Sequence, residues 1–191
     1  MVVGLGNPGA EFAGTRHNVG ADAVAELARR HGTGRLKLMK GQRASVEEVG
    51  IEGRRVALAV PTTYMNDSGN AVAPLVRRFG IEDPEALVIV HDELDLPPGG
   101  FQVKSGGGLA GHNGLRSIKA HLHTEAFVRI RIGIGKPRPG AGADHVLNRP
   151  SRGDRALLDA TTAMAADAVE VIARSGVAAA MSRFNTKPDQ S

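Results

Sequence analysis

A His-Asn pair occurs twice in this chain, at His17-Asn18 and at His112-Asn113. Each pair follows a glycine-rich stretch, Gly4-Leu5-Gly6-Asn7-Pro8-Gly9 before the first and Gly106-Gly107-Gly108-Leu109-Ala110-Gly111 before the second. Glycine lets the backbone approach a ligand closely, so two loops are placed to present imidazole and carboxamide groups to it. A carboxylate is available as well. The apolar run Ala86 to Val90 empties into His91-Asp92-Glu93-Leu94-Asp95, which puts Asp92 at a strand end, the usual site location in open α/β sheets. A carboxylate that accepts from one imidazole nitrogen fixes the tautomer and raises the basicity of the other, so His17 with Asp92 reads as a general-base pair.

Other chemistries fit less well. There is no cysteine, which excludes thiol catalysis and thiolate metal sites, and Ser68 and Ser105 lack a Gly-x-Ser-x-Gly elbow. Water is then the expected nucleophile, with neutral carboxamides such as Asn66 and Asn113 suited to a developing oxyanion. No His-x-x-x-His or Asp-x-Asp spacing supports a metal site, and none is expected. Gly4, Gly6 and Gly9 formally satisfy G-x-G-x-x-G, but Asn7-Pro8-Gly9 is turn chemistry and the helix starts only after Asn18, so a dinucleotide site is rejected. Lys104 and Arg131 lie on adjacent expected strands and could clamp a phosphate. His31, His121, His123 and His145 are read as structural or surface residues, whereas His17, His91 and His112 are placed in loops among polar groups.

The elements that must carry these residues can be read from periodicity. Met1 to Leu5 is a buried strand, Ala21 to His31 a helix, and Arg43 to Val49 with Arg54 to Val60 a hairpin about a Gly50-Ile51-Glu52-Gly53 turn. Ser68 is expected to cap a helix carrying Val72, Leu75, Val76 and Phe79, closed by Gly80 and distorted by Pro74. Strands follow at Ala86 to Val90, Phe101 to Lys104 and Val128 to Ile134, with a helix over Leu115 to Leu122. Gly135 to Pro150, rich in glycine and proline, reads as a mobile loop. Ser151 and Asp154 open a long helix reaching about Arg174, and a shorter one follows Gly176. Strands alternating with helices give an α/β sandwich around a mixed sheet.

The 191 residues, 41% of them apolar, suit one domain over 1–185 with a tail at 186–191. Absence of cysteine suits a reducing compartment, and no run of apolar residues is long enough for a signal peptide or a membrane span, so a cytoplasmic protein without membrane contact is expected. A net charge of +4 with a pI near 9.8 favours an anionic partner. With aromatics at 3%, a nucleic acid would be held through phosphates and shape rather than by stacking. No apolar stripe is left over, so a monomer is expected.

The motifs resemble the bacterial peptidyl-tRNA hydrolase family. The matching blocks are Val3 to Gly9, Thr15 to Gly20, Pro61 to Asn66 with Ser68-Gly69, His91 to Gly99, Gly106 to Gly114 and Arg129 to Gly135, in family order over nearly the whole domain. The resemblance implies a three-layer, phosphorylase/hydrolase-like fold with a mostly parallel twisted sheet. It implies hydrolysis of the ester joining a peptide to the last ribose of tRNA, without cofactor. By the same resemblance His17 activates water and Asp92 holds its basic form. Asn66 and Asn113 position water and ester or bind substrate, with Tyr64 lining the cleft and His112 beside the substrate. Asn7 binds near the first peptide unit and helps to reject free aminoacyl-tRNA, and Lys104 with Arg131 holds the tRNA 5′-phosphate. Phe12 stands where the family usually has tyrosine, which removes a hydroxyl from a substrate-contacting position. The chain also starts a few residues later than is usual, which implies a shorter first strand. Two rivals remain at this point: a non-catalytic RNA-binding adaptor on the same fold, and a nucleotide-cofactor enzyme using the Gly4 to Gly9 loop.

Overall fold

The computed structural model describes residues 1–137 and 140–185, so the expected tail at 186–191 lies outside the described residues. Seven strands form one sheet in the order β2-β3-β4-β1-β5-β7-β6. They are β1 (Val2–Gly4), β2 (Lys37–Met39), β3 (Ala44–Ile51), β4 (Arg54–Pro61), β5 (Val88–Glu93), β6 (Phe101–Ser105) and β7 (Val128–Gly133). The four central strands β4, β1, β5 and β7 are parallel, whereas β2 and β3 on one side and β6 on the other pair antiparallel. Five of the seven strands thus run one way, although the ladders divide equally between the two kinds.

The central strands are buried on both faces, so their residues alternate between two cores. Val2, Leu58, Val88, Val90, Ile130 and Ile132 face α1 (Val19–His31), α5 (Arg152–Ser175) and α6 (Val177–Phe184). Val3, Leu5, Ala59 and Ile89 face α2 (Gly69–Arg78) and α3 (Asn113–Leu122). The result is the expected three-layer sandwich. Ser151 caps α5, its hydroxyl accepting from the Asp154 N–H at 3.1 Å.

Four local expectations are corrected. The β3–β4 ladder runs on through Gly50 and Ile51, and the turn is only Glu52-Gly53, with φ of 49° and 74°. Two left-handed residues give the tight hairpin turn that matches strand twist, and Ile51 is thereby carried into the core. Ser68 does not cap α2; its hydroxyl donates to the Met65 carbonyl at 2.7 Å instead. The short edge strand β2 was not foreseen. The stretch read as a loop over Gly135 to Pro150 contains α4 (Gly142–Leu147), and its residues 138 and 139 lie outside the described ones.

The contact that matters most for the site is between α1 and the sheet. A Cβ on Gly20 would stand 2.2 Å from the Val90 carbonyl oxygen, and one on Gly4 would stand 2.1 Å from the Gly20 carbonyl oxygen. Glycine at both positions lets the first turn of α1 lie directly on β1 and β5, and the Ala21 N–H donates to the Leu5 carbonyl at 3.0 Å. The turn just before α1, which contains His17, is fixed against the end of β5.

Candidate active site

Because β1, β4, β5 and β7 are parallel, their carboxyl ends open on one side, where the chain leaves each strand to connect outward. Asn7 follows β1, Tyr64 follows β4 just before a single 3-10 turn (Met65–Asp67) that carries Asn66, and Asp92 is the penultimate residue of β5. His17 sits in another such turn (Arg16–Asn18), and His112 and Asn113 arrive there at the N-terminus of α3.

Asp92 is the centre, 3% exposed. His17 Nδ1 lies 2.9 Å from each Asp92 oxygen, and His112 Nε2 lies 2.9 Å from Asp92 Oδ1. Burial alone would raise the Asp92 carboxyl, but His112 and then His17 outweigh it and hold the group well below the usual carboxylate range. An ionised carboxylate only accepts, so both ring nitrogens donate to it. The two rings then differ. His112 is also the N-cap of α3 and its Nδ1 accepts from the Leu115 N–H at 3.3 Å, which uses both of its nitrogens. His17 Nε2 has no partner among the described residues, and its lone pair is free to take a proton.

His17, Asp92 and His112 are also the one group of potential metal ligands found together among the described residues. A metal-bound histidine needs a lone pair toward the ion and ordinarily donates its other N–H. For His112 that would move a proton onto Nδ1, directly against the Leu115 N–H. The donor set therefore fits a hydrogen-bonded base better than a metal centre.

His91, expected in a loop, is in β5 and fully buried. Its Nδ1 donates to the Asp92 carbonyl at 2.7 Å, its Nε2 has no partner, and its ring stands at 71° to that of His112 with centroids 5.0 Å apart. Burial, then the neighbouring His112, pushes its imidazole down to about 3, which keeps it neutral beside the site.

A cavity of about 230 Å³ opens over these groups, lined by His17, Asp92, His112, Asn113, Leu94 and Val146. Val146 belongs to α4, which Arg16 straps to the turn that carries His17. Arg16 Nη1 points at the carbonyls of His145, Asn148 and Arg149 at 3.3–3.4 Å, and Nη2 pairs with Asp154 at 3.2 Å. On the other flank, Asn18 binds the Asn7 backbone in both directions at 2.9 Å, and the Met65 N–H donates to Asn7 Oδ1 at 2.7 Å. With its oxygen turned to the Met65 N–H, Asn7 presents side-chain N–H groups that have no partner among the described residues. Phe12 and Tyr64 form an edge-on pair with centroids 6.3 Å apart, and Tyr64 is 59% exposed. Asn66 and Asn113 are exposed.

Lys104 and Arg131 share a sheet face but are not directly opposite; Lys104 pairs with Arg129, and Arg131 with Gln102. Arg131 is not free, since its guanidinium is held by Glu93 at 2.9 Å and by Gln102. Asn18, Glu93, Arg16 and Arg129 were missed as supporting residues. The period of two in Arg129-Ile130-Arg131-Ile132 puts Arg129 on the same face as Arg131, a signal that could have found it.

The chain was compared with known proteins. A family model described as peptidyl-tRNA hydrolase matches residues 1–191. The peptidyl-tRNA hydrolase of Cutibacterium acnes is 48% identical over 198 residues, covering 97% of this chain and 98% of that one. That of Chloroflexus aggregans is 46% identical over 189 residues, again covering 97% and 98%. The crystal structure of peptidyl-tRNA hydrolase from Acinetobacter baumannii superposes with a TM-score of 0.91 at 41% identity, over 97% of this chain and 93% of that one. With that fold, those motifs in that order and a match over its whole length, the chain belongs to the peptidyl-tRNA hydrolase family.

Proposed function

We propose that this protein hydrolyses the ester between a peptide, or an N-blocked aminoacyl group, and tRNA, with His17 as general base. The observation that carries the reading is that His17 Nδ1 is fixed on a buried carboxylate at 2.9 Å while Nε2 is left without a partner beside an open cavity. Water is the nucleophile. His17 Nε2 takes its proton as oxygen attacks the ester carbonyl, and Asp92 stabilises the imidazolium that forms. The Asn113 and Asn66 carboxamides donate to the developing oxyanion or bind the substrate. Collapse of the tetrahedral intermediate breaks the bond to the ribose oxygen, and the proton on His17 passes to that leaving oxygen.

His112 turns the Asp92 carboxylate to face His17. The Asn7 N–H groups suit a peptide carbonyl and repel a protonated amine, which supports rejection of free aminoacyl-tRNA. Phe12 and Tyr64 form an apolar wall for the substrate, with the packing of Phe12 replacing a hydroxyl contact. Lys104 and Arg131 meet the 5′-phosphate, with Arg131 held ready by Glu93 rather than mobile. The enzyme works as a cytoplasmic monomer without metal or cofactor.

The test is release of N-acetylaminoacyl groups from tRNA, measured beside release from the same tRNA with a free amine, with His17→Ala as control. Fast, His17-dependent cleavage of the blocked form alone is the expected result. Binding without cleavage would replace the enzyme by an RNA-binding adaptor.

A further inference from the structure

Arg129 lies in β7 on the sheet face turned to α2 and α3, opposite Ile89, and is 1% exposed. It has no ion-pair partner among the described residues. Nη1 donates to the Gly108 carbonyl at 2.6 Å and Nη2 donates to the Gly106 carbonyl, while Nε is buried without a partner. A guanidinium removed from water is tolerated where fixed dipoles replace its hydration, and here two carbonyls of one loop do so.

That loop has little else to fix it. Gly106, Gly107, Ala110 and Gly111 all have positive φ, and a Cβ on Gly108 would meet nothing within 4 Å. Its other restraints are the Gly106 N–H, which donates to the Phe127 carbonyl at 3.1 Å, the His112 N–H, which donates to the Leu109 carbonyl at 2.9 Å, and Leu109 itself, half-buried against the core. The loop runs directly into His112 and Asn113.

We propose that Arg129 is a positioning residue: by holding the Gly106 and Gly108 carbonyls it fixes the glycine loop, and through it the placement of His112 against Asp92 and of Asn113 in the cavity. The proposal rests on the hydrolase reading. Its competitor is direct phosphate binding. A Cβ on Gly107 would lie 3.1 Å from Lys104 Nζ and 3.3 Å from Arg129 Nη2, so both cations flank the loop.

Two substrates separate these roles: N-acetylaminoacyl-tRNA, and the same N-acetylaminoacyl ester on a short oligonucleotide that ends in the same adenosine and lacks the acceptor stem. Arg129→Met is expected to lower kcat by about 10- to 100-fold on both, the scale of a misplaced catalytic group, while KM for tRNA moves by about threefold or less. Lys104→Met is expected to raise KM for full tRNA only. Arg129→Lys, which can reach one carbonyl but not both, should fall between wild type and Arg129→Met. A loss limited to KM for full tRNA, or an unchanged kcat on the short ester, overturns the proposal. Should Arg129→Met fail to fold, Gly107→Ala strains the loop at φ 88° and sets a methyl group against Arg129 Nη2 and the end of Lys104. It should lower kcat on both substrates with an unchanged melting temperature, and an unchanged kcat would count against the proposal. A wild type inert toward both esters would remove the hydrolase reading and this inference together, an outcome distinct from any variant-specific result.

Discussion

The two His-Asn loops end at the same carboxylate and use their residues in opposite ways. In the first, packing is tight: Gly4 and Gly20 leave no room for a methyl group, and Asn18 is buried as a brace on the Asn7 backbone. There the histidine keeps a free nitrogen and the asparagine is structural. In the second, Gly106, Gly108 and Gly111 are open and the loop is held by a guanidinium, while His112 spends both nitrogens on Asp92 and Leu115. There the asparagine is the free group. A dipeptide therefore does not define a role; the unspent hydrogen-bonding atom does.

The sharpest way to break this comparison is at the histidines. His17→Ala should lower kcat by about 10³-fold or more, and Asp92→Asn, which disturbs the tautomer of the base, by up to about 10⁴-fold. His112→Ala removes one hydrogen bond to a charged acceptor, so a loss of about 10- to 100-fold is expected. Single-turnover rates on blocked aminoacyl-tRNA measure all three, and equal losses for His17→Ala and His112→Ala would erase the distinction. The asparagines should invert the pattern. Asn113→Ala is expected to cost about 10²-fold in kcat with little change in stability. Asn18→Ala should instead lower unfolding free energy by about 1–3 kcal/mol, because it leaves half-buried Asn7 backbone groups without their Asn18 partner. Parallel urea melts and kinetics would show whether the two effects separate.

Much of this was legible in the sequence because the site is built from residue types with few other uses in those places. Glycine clusters, two imidazoles and a carboxylate at a strand end located the cleft, and the period of two in the central strands located the sheet. What escaped had physical reasons. The proline and glycine content of 135–150 hid the six residues of α4, and β2 is a three-residue edge strand whose Lys37 and Leu38 are exposed and so carry no burial pattern. The engagement of Arg131 depends on Glu93 and Gln102, which are 38 and 29 positions away in the chain. Ser68 stands at the cap position that its type suggests, but its hydroxyl donates back to the Met65 carbonyl and accepts no N–H of the helix.

Smaller effects sharpen the packed-versus-open contrast. Gly20→Ala forces a methyl group into the Val90 carbonyl and should destabilise by about 1–3 kcal/mol, whereas Gly108→Ala should stay within about 0.5 kcal/mol. Equal melting temperatures for the two variants would contradict the account of how α1 is seated. A pH-dependent effect concerns His91, kept neutral by burial. The unfolded chain binds a proton there below an ordinary histidine value of about 6.5, which the folded chain refuses until about 3. Stability is therefore full above about pH 6.5 and falls as pH drops, with this one group contributing a slope of about 1.4 kcal/mol per unit. His91→Phe should flatten unfolding free energy between pH 6.5 and 4.5 relative to wild type; parallel curves would show that His91 is not the group responsible.

The doubly occupied ring of His112 bears on reaction kinetics. With one histidine committed at both nitrogens and Asp92 ionised, the proposed mechanism moves a single hydron as water attacks. In mixtures of light and heavy water, the rate of the chemical step should then fall along a straight line with deuterium fraction, where a relay through both rings would bow it downward.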